Sequence, residues 1–450
     1  MMLKRLQILR VLAWCCLTTT VHGQHADKPR PPEWEGLVYG GRFMDRILPA
    51  PIYKGLESDV WGAGNVRPRD IHNGIEDPDW SYWGGKPILG EDGRYHFFVC
   101  RWREDDPRGH MGWPDSEIVH AIGDRPTGPF IFANRIGKGH FPEITKLPDG
   151  RYGIFHFEGC YVAEHLDGPW LEAGETFGFN NKTVFGSLTL REDGSFLMFD
   201  RYIRVWLKAS EEDEFVMVHG QVHPKFPGKY EDPLVWRTEV QYHLLINDWH
   251  GRRAYYFRSK NGVDWKMDAG EAYTLGIDRY TDGTQVDWYK YERPKVLQDR
   301  YGRATHLYFA VIDVHKRKDM GGDAHNSKNI SLPLLVGRRL EVLRPETLSA
   351  DSSYIELLIR AEEGFNPHQD IDVASLRFGA PEAVDFGGGS KAAASVRSGA
   401  DLVVSFPNDE LGFDDENFAG KLIGRNKDQS LLFGYTRLPW VDYSPFVYKD

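Results

Sequence analysis

Three histidines in the first third of the chain stand ten and twenty residues apart: His110 in "PRGHMGW", His120 in "SEIVHAIGDRPTGPF" and His140 in "GHFPEI". His120 falls where a short strand closes, a place usually given to small or polar residues. Laid over "YYFRSKNGVDW", the same strand position holds Arg258, and Tyr242 lies sixteen residues before it. An imidazole titrates near neutrality, and a phenol exchanges a proton once its pKa is lowered. A guanidinium stays charged and grips a carboxylate in a fork. Such a set can run a β-elimination on a uronic acid, which requires neutralising the C6 carboxylate, taking the C5 proton and protonating the leaving oxygen at C4. His120, His140, Tyr242 and Arg258 are therefore expected as the catalytic set. Arg258, with His140, would hold the carboxylate, while Tyr242 and His120 share base and acid duties in either order.

Other residues read as substrate contacts. His110 sits on a loop, Glu143 and Asp232 stand near strand starts, and Lys328 and His325 belong to "DVHKRKDMGGDAHNSKNISLPL". That Gly-rich loop suits an acidic sugar or a sulfate. Glu231 and Asp232 before Pro233 can act as a turn cap, a proton-transfer group or a structural ion pair. The chemistry requires no cofactor. A structural divalent metal stays open, although the spacing of Asp313 and Asp323 matches no tight calcium loop.

Short hairpins must carry these residues. "GGKPILGEDGRYHFFVC", "FPEITKLPDGRYGIFHF" and "FGSLTLREDGSFLMFD" each place an Asp-Gly turn between two apolar runs, a strong hairpin signal. "EDPLVWRTEVQYHLLIND" and "ERPKVLQDRYGRATHLYFAV" are variants with other turns. A third strand follows each hairpin, closed in places by Gly-Pro-Phe or Gly-Pro-Trp. Units of this kind read as propeller blades. The expected class is all-β: a five-bladed β-propeller over residues 24–340, with further blades as the alternative, and a β-sandwich-like domain over 341–450. The N-terminal segment is expected to close the ring, and a short helix is expected near 208–214.

In a propeller the first strand of each blade lines the central channel. Those strand starts read Gly84-Gly85-Lys86, His140-Phe141-Pro142-Glu143, Phe185-Gly186-Ser187, Glu231-Asp232-Pro233 and Glu292-Arg293-Pro294. The pattern resembles the five-bladed carbohydrate-active enzymes related to glycoside hydrolase family 43. That resemblance implies a general-base Asp opening blade one and a general-acid Glu opening blade three. Here those positions hold glycine and "FGSL", and Asp77 and Asp79 in "IEDPDW" are the nearest substitutes for the base. The set His120, His140, Tyr242 and Arg258 is similar to that of propeller polysaccharide lyases, including the ulvan lyases of families 24 and 25. This second resemblance implies cleavage of rhamnosyl-α-1,4-glucuronate linkages in an ulvan-like or arabinogalactan-type glycan. A family 43-like hydrolase, a uronate oligosaccharide dehydratase and a non-catalytic glycan-binding propeller remain alternatives.

The bulk composition agrees with a glycan partner. The chain has 450 residues and a net charge of −11, and no basic stripe that would serve nucleic acid. Fourteen Trp and twenty-one Tyr provide flat faces for sugar rings as well as for cores. Residues 1–23 read as an export signal, with Lys4, Arg5 and Arg10 ahead of an apolar run too short to span a bilayer. The expected location is outside the cytoplasm, secreted or periplasmic, with no membrane span. Cys100 and Cys160 would remain after cleavage of the signal, as a pair or as separate thiols.

Overall fold

The computed structural model describes residues 28–58, 60–157, 159–173, 185–343 and 353–446. The expected export signal lies outside them. Five antiparallel sheets follow one another along the chain. Their inner strands are Trp80–Leu89, Glu143–Lys146, Phe185–Leu190, Tyr230–Arg237 and Lys290–Gln298, opening blades I to V. Each inner strand packs beside the next, and the last packs beside the first, so the ring is closed. Blades I to IV have four strands and blade V three. Ile75 pairs with Asn329 on the outer strand of blade V, so the N-terminal segment supplies the missing edge, as expected.

The hairpin turns are locally encoded. Gly93, Gly150 and Gly194 take φ of 78°, 95° and 85°, values open to glycine at no steric cost. In each turn the preceding aspartate accepts the N–H two residues on, at 3.0 Å from Arg94, 2.9 Å from Arg151 and 3.0 Å from Ser195. Alternate side chains then fill the spaces between blades, for example Phe98, Ile118, Ile144 and Ile154 between blades I and II. The expected helix near 208–214 is instead a turn following the strand Arg204–Lys208. Ser210 bridges Glu212 and Asp213 there, a local bond that competes with helix.

After the ring, eight strands form one continuous curled sheet. It folds on itself, so Val342, Ile355, Leu357 and Ile359 share a core with Leu376, Phe378, Leu422 and Leu432. Against the N-terminal segment this domain presents Phe433 and Tyr435, whose rings lie 4.4 and 5.5 Å from the Arg46 guanidinium. Cys100 and Cys160 are both free and buried, in blades I and II. Burial pushes the Cys100 thiol up to about 12.

Candidate functional site

Four of the five inner strands enter the channel through a residue in the left-handed region: Gly84 (φ 58°), Phe141 (60°), Asp232 (55°) and Arg293 (52°). Gly85, Pro142, Pro233 and Pro294 follow them. The register slips at this point in blades I, IV and V, which marks a bulge that re-aims the side chains around it. Three non-glycine residues held in this conformation cost of order 1–3 kcal/mol each, strain that tends to gather at functional sites. The four residues converge. A Cβ on Gly84 would lie 2.9 Å from the Phe141 ring and 3.2 Å from Arg293, so only glycine fits there. The Arg293 guanidinium sits 4.4 Å above the Phe141 ring and 2.7 Å from Asp232.

Beside this plug, Glu143 is fully buried between Lys86, at 2.9 Å, and Lys295, at 2.6 Å. Residues just ahead of the left-handed positions build the mouth. Oxygens of Glu231, Asp232 and Glu292 lie within 4.8 Å of one another. Glu292 accepts from Lys290 at 2.8 Å and from Lys316. Arg201 stands 3.7 Å from Glu231. The Glu231, Lys316 and Arg201 side chains are 12%, 18% and 43% exposed, so solvent reaches the cluster through them. His140 completes the wall. Its Nδ1 meets Ser116 at 3.0 Å and the Cys100 sulfur at 3.3 Å, and the Trp113 and Phe157 rings lie 4.7 and 5.4 Å away.

Electrostatics split the two glutamates. Burial, with Asp232 and Glu292 close by, raises the Glu231 carboxyl above its ordinary range. Burial also opposes ionisation of Glu292, but Lys290 and Lys316 outweigh it and hold that carboxyl well below the usual range. The two carboxyls are thereby driven in opposite directions, Glu231 toward its protonated form and Glu292 toward its charged one. Burial, reinforced by Arg293, keeps His140 neutral.

The structure does not bring the expected elimination set together. Of its four members only His140 stands at the mouth. His120 is buried in the third strand of blade I, its Nε2 2.9 Å from His96 Nδ1 and its ring stacked on Phe98 at 4.8 Å. Burial, then His96, lowers its pKa to about 4. Tyr242 packs in the core between blades III and IV, and its hydroxyl accepts the Glu192 N–H at 3.2 Å. Burial raises its pKa, the wrong direction for a base. Arg258 is spent on the interface with the C-terminal domain, where Nε lies 2.8 Å from both Asp268 oxygens and Glu382 is 3.8 Å away.

The expected substrate contacts divide as well. Asp232 is at the mouth, tied to Arg293. His110 is wedged between Trp83, at 4.5 Å, and Trp102, at 5.2 Å, so it supports the mouth rather than entering it. Glu143 is enclosed by its two lysines. Lys328 is 1% exposed and paired with Glu76 at 2.7 Å, next to Arg69, which removes it from any ligand. His325 hydrogen-bonds Asp313 at 2.9 Å. Asp77 accepts the Asp79 N–H at 2.8 Å in an exposed turn. Glu292, Lys290 and Lys316 were not among the expected residues. The signal for Glu292 is the repeated Glu-x-Pro at two strand starts, Glu231-Asp232-Pro233 and Glu292-Arg293-Pro294.

No family model matches this sequence, and no curated protein sequence matches it. Among solved structures, the chain is similar to a family 117 glycoside hydrolase from the marine bacterium Zobellia galactanivorans. The identity is 15%, over 58% of this chain and 88% of that one, with a TM-score of 0.39. It is also similar to a structure described as a glycoside hydrolase, at 10% identity over 68% and 84% of the two chains, TM-score 0.42. A family 43 β-1,3-galactosidase is similar at 11% identity over 82% and 81%, TM-score 0.40. Likeness of this degree says nothing of what the chain binds.

Proposed function

We propose that the protein is a glycoside hydrolase acting on an acidic glycan, with Glu231 as general acid and Glu292 as the charged carboxylate. The observation that carries this reading is the pair itself: two carboxyls from adjacent blades, within 4.8 Å, at the solvent-reached end of the channel. Their surroundings push them in opposite directions, the division of labour that glycoside hydrolysis requires. Glu231 would protonate the glycosidic oxygen as the bond to the leaving sugar breaks. Glu292 would stabilise the positive charge growing at the anomeric carbon and attack it, or activate a water to do so. The spacing is nearer the roughly 5–5.5 Å of retaining enzymes than the roughly 6.5–9.5 Å of inverting ones. Asp232, neutralised in part by Arg293, adds the negative potential that keeps the proton on Glu231.

The substrate class follows from charge and shape. Arg201, Lys290, Arg293 and Lys316 outnumber the three acids they surround, in a protein whose overall charge is −11. A local positive field inside a negative molecule favours an anionic ligand. Partly exposed rings of Trp113 and Phe157 provide stacking faces beside it. A uronic-acid-containing glycan, met outside the cytoplasm after export, fits these features.

β-Elimination from a uronate is the second reading. It is favoured by His140, a neutral imidazole with Arg293 and Lys316 among its charged neighbours. The test uses glucuronate-containing oligosaccharides. Hydrolysis gives new reducing ends whose products together exceed the substrate by one water per bond. Elimination gives an unsaturated uronate with strong ultraviolet absorbance and no added water. E231Q and E292Q are expected to lose activity while H120A keeps it. Unsaturated products from an active E231Q/E292Q protein would overturn the hydrolase reading.

A further inference from the structure

A second group of acids lies outside the cluster at the mouth. Glu104 follows the second strand of blade I, and Asp319 and Asp323 lie on the loop between the strands Ala304–Ile312 and Ser327–Pro333 of blade V. One oxygen from each lies within 4.8 Å of the others. The mouth holds as many acids, but there each has a cation: Arg201 for Glu231, Arg293 for Asp232, Lys290 for Glu292. Among the described residues, no lysine or arginine pairs with Glu104, Asp319 or Asp323. Asp313 adds further negative charge nearby, and its own partner is His325.

These carboxylates are also short of hydrogen bonds. Asp319 is 1% exposed, and neither of its oxygens meets a donor. The His110 N–H offers Asp319 a favourable dipole without closing a hydrogen bond. Glu104 takes the Ser81 hydroxyl on one oxygen at 2.7 Å, and its other oxygen is buried and unmet. Buried polar groups in folded proteins almost always have a partner, and an unpaired buried charge is among the costliest arrangements. Asp323 is held toward the group by the backbone N–H groups of His325, at 2.6 Å, and Met320, at 3.0 Å.

We propose that Glu104, Asp319 and Asp323 bind a structural calcium ion. Calcium–oxygen distances of about 2.3–2.6 Å place two ligands of one ion no more than about 5 Å apart, which the observed spacing satisfies. The donors are all oxygens, the choice of a hard cation, while the His325 imidazole is already engaged by Asp313. The ion would staple two loops. A Cβ on Gly109 would lie 1.8 Å from the Asp319 carbonyl oxygen, so the loop packs directly on the start of the segment Gly109–Asp115. The Gly322 N–H donates to the Glu104 carbonyl at 3.1 Å from the other side. Segment 109–115 carries His110 and Trp113 to the mouth, so calcium would stiffen the wall around His140 without touching a sugar. This inference does not depend on which reaction the mouth performs.

The test uses the full chain, stripped with a chelator and titrated with calcium alone. Tm is expected to rise with calcium concentration, and terbium to give tryptophan-sensitised luminescence that calcium displaces. D319N keeps the side-chain shape and should weaken calcium at least about tenfold, since affinity follows ligand charge. E292Q should bind calcium like the unaltered protein. If D319N fails to fold, D323N, at an exposed position, must show the same weakening. No Tm shift and no terbium signal in the unaltered protein would overturn the proposal. So would undiminished affinity in D323N, or protection by magnesium at lower concentration than calcium.

Discussion

Replacing Glu292 with glutamine separates its chemical role from its structural one. The side chain is 1% exposed and faces Lys290, 3% exposed, at 2.8 Å, and Lys316, 18% exposed. Removing one partner of a buried pair costs about 3–5 kcal/mol, mostly by stranding the other charge. Lys316 can turn toward water, so E292Q should fall at the low end, about 3 kcal/mol. Glu143 provides the matched control. It too bridges two lysines, Lys86 and Lys295, with Lys295 fully buried, so E143Q should cost at least as much stability. Glu143 is 0% exposed and has no part in the proposed proton transfers. Loss of an acid–base group costs ~10²–10⁴-fold in kcat, about 3–5 kcal/mol of barrier. The assay measures Tm for both variants, then kcat per folded molecule on an acidic oligosaccharide that the unaltered protein cleaves. E292Q should lose at least about a hundredfold, and E143Q less than about tenfold. Equal losses per folded molecule would show that Glu292 matters only as an ion-pair partner, and the mechanism would fail.

The pH profile of kcat/KM should be bell-shaped, with its acid limb below the usual carboxylate range because Lys290 and Lys316 keep Glu292 ionised, and its alkaline limb above that range because buried Glu231 holds its proton. E231Q should abolish the alkaline limb in whatever activity remains, and an unchanged profile would remove Glu231 from the acid role. R258A should lower Tm and expose the junction between ring and C-terminal domain to proteolysis, because Asp268 would be left buried and unpaired at a cost of about 3–5 kcal/mol. Activity per folded molecule should persist in R258A, and its loss with Tm unchanged would return Arg258 to the site. Cys100 and Cys160 should resist a thiol reagent until the protein unfolds, and a reductant should leave Tm unchanged, since both are free and buried. A reductant-sensitive Tm would contradict the two-thiol assignment.

Much of the architecture was legible in short stretches. Asp92-Gly93, Asp149-Gly150 and Asp193-Gly194 each mark a hairpin because turn, glycine and aspartate cap are contiguous in the chain. The channel-facing starts followed from the same reading, and with them His140, Asp232 and the second Glu-x-Pro that carries Glu292. The helix expected near 208–214 failed locally, on the competing bonds of Ser210. The wider errors concern partners. His120 and Arg258 do occupy equivalent third strands, one in blade I and one in blade IV, but equivalence within a blade does not make two side chains neighbours.

The sequence by itself determined where strands turn and which residues open each inner strand, because these depend on residues a few positions apart. Only the tertiary structure decided what each charged group faces. Glu143 meets a lysine 152 residues away, and Lys328 meets a glutamate 252 residues away. The same side chain is catalytic, structural or metal-binding according to those distant neighbours. Ring closure sets them, since burial makes charges seek partners across blades and no local pattern records which partner arrives.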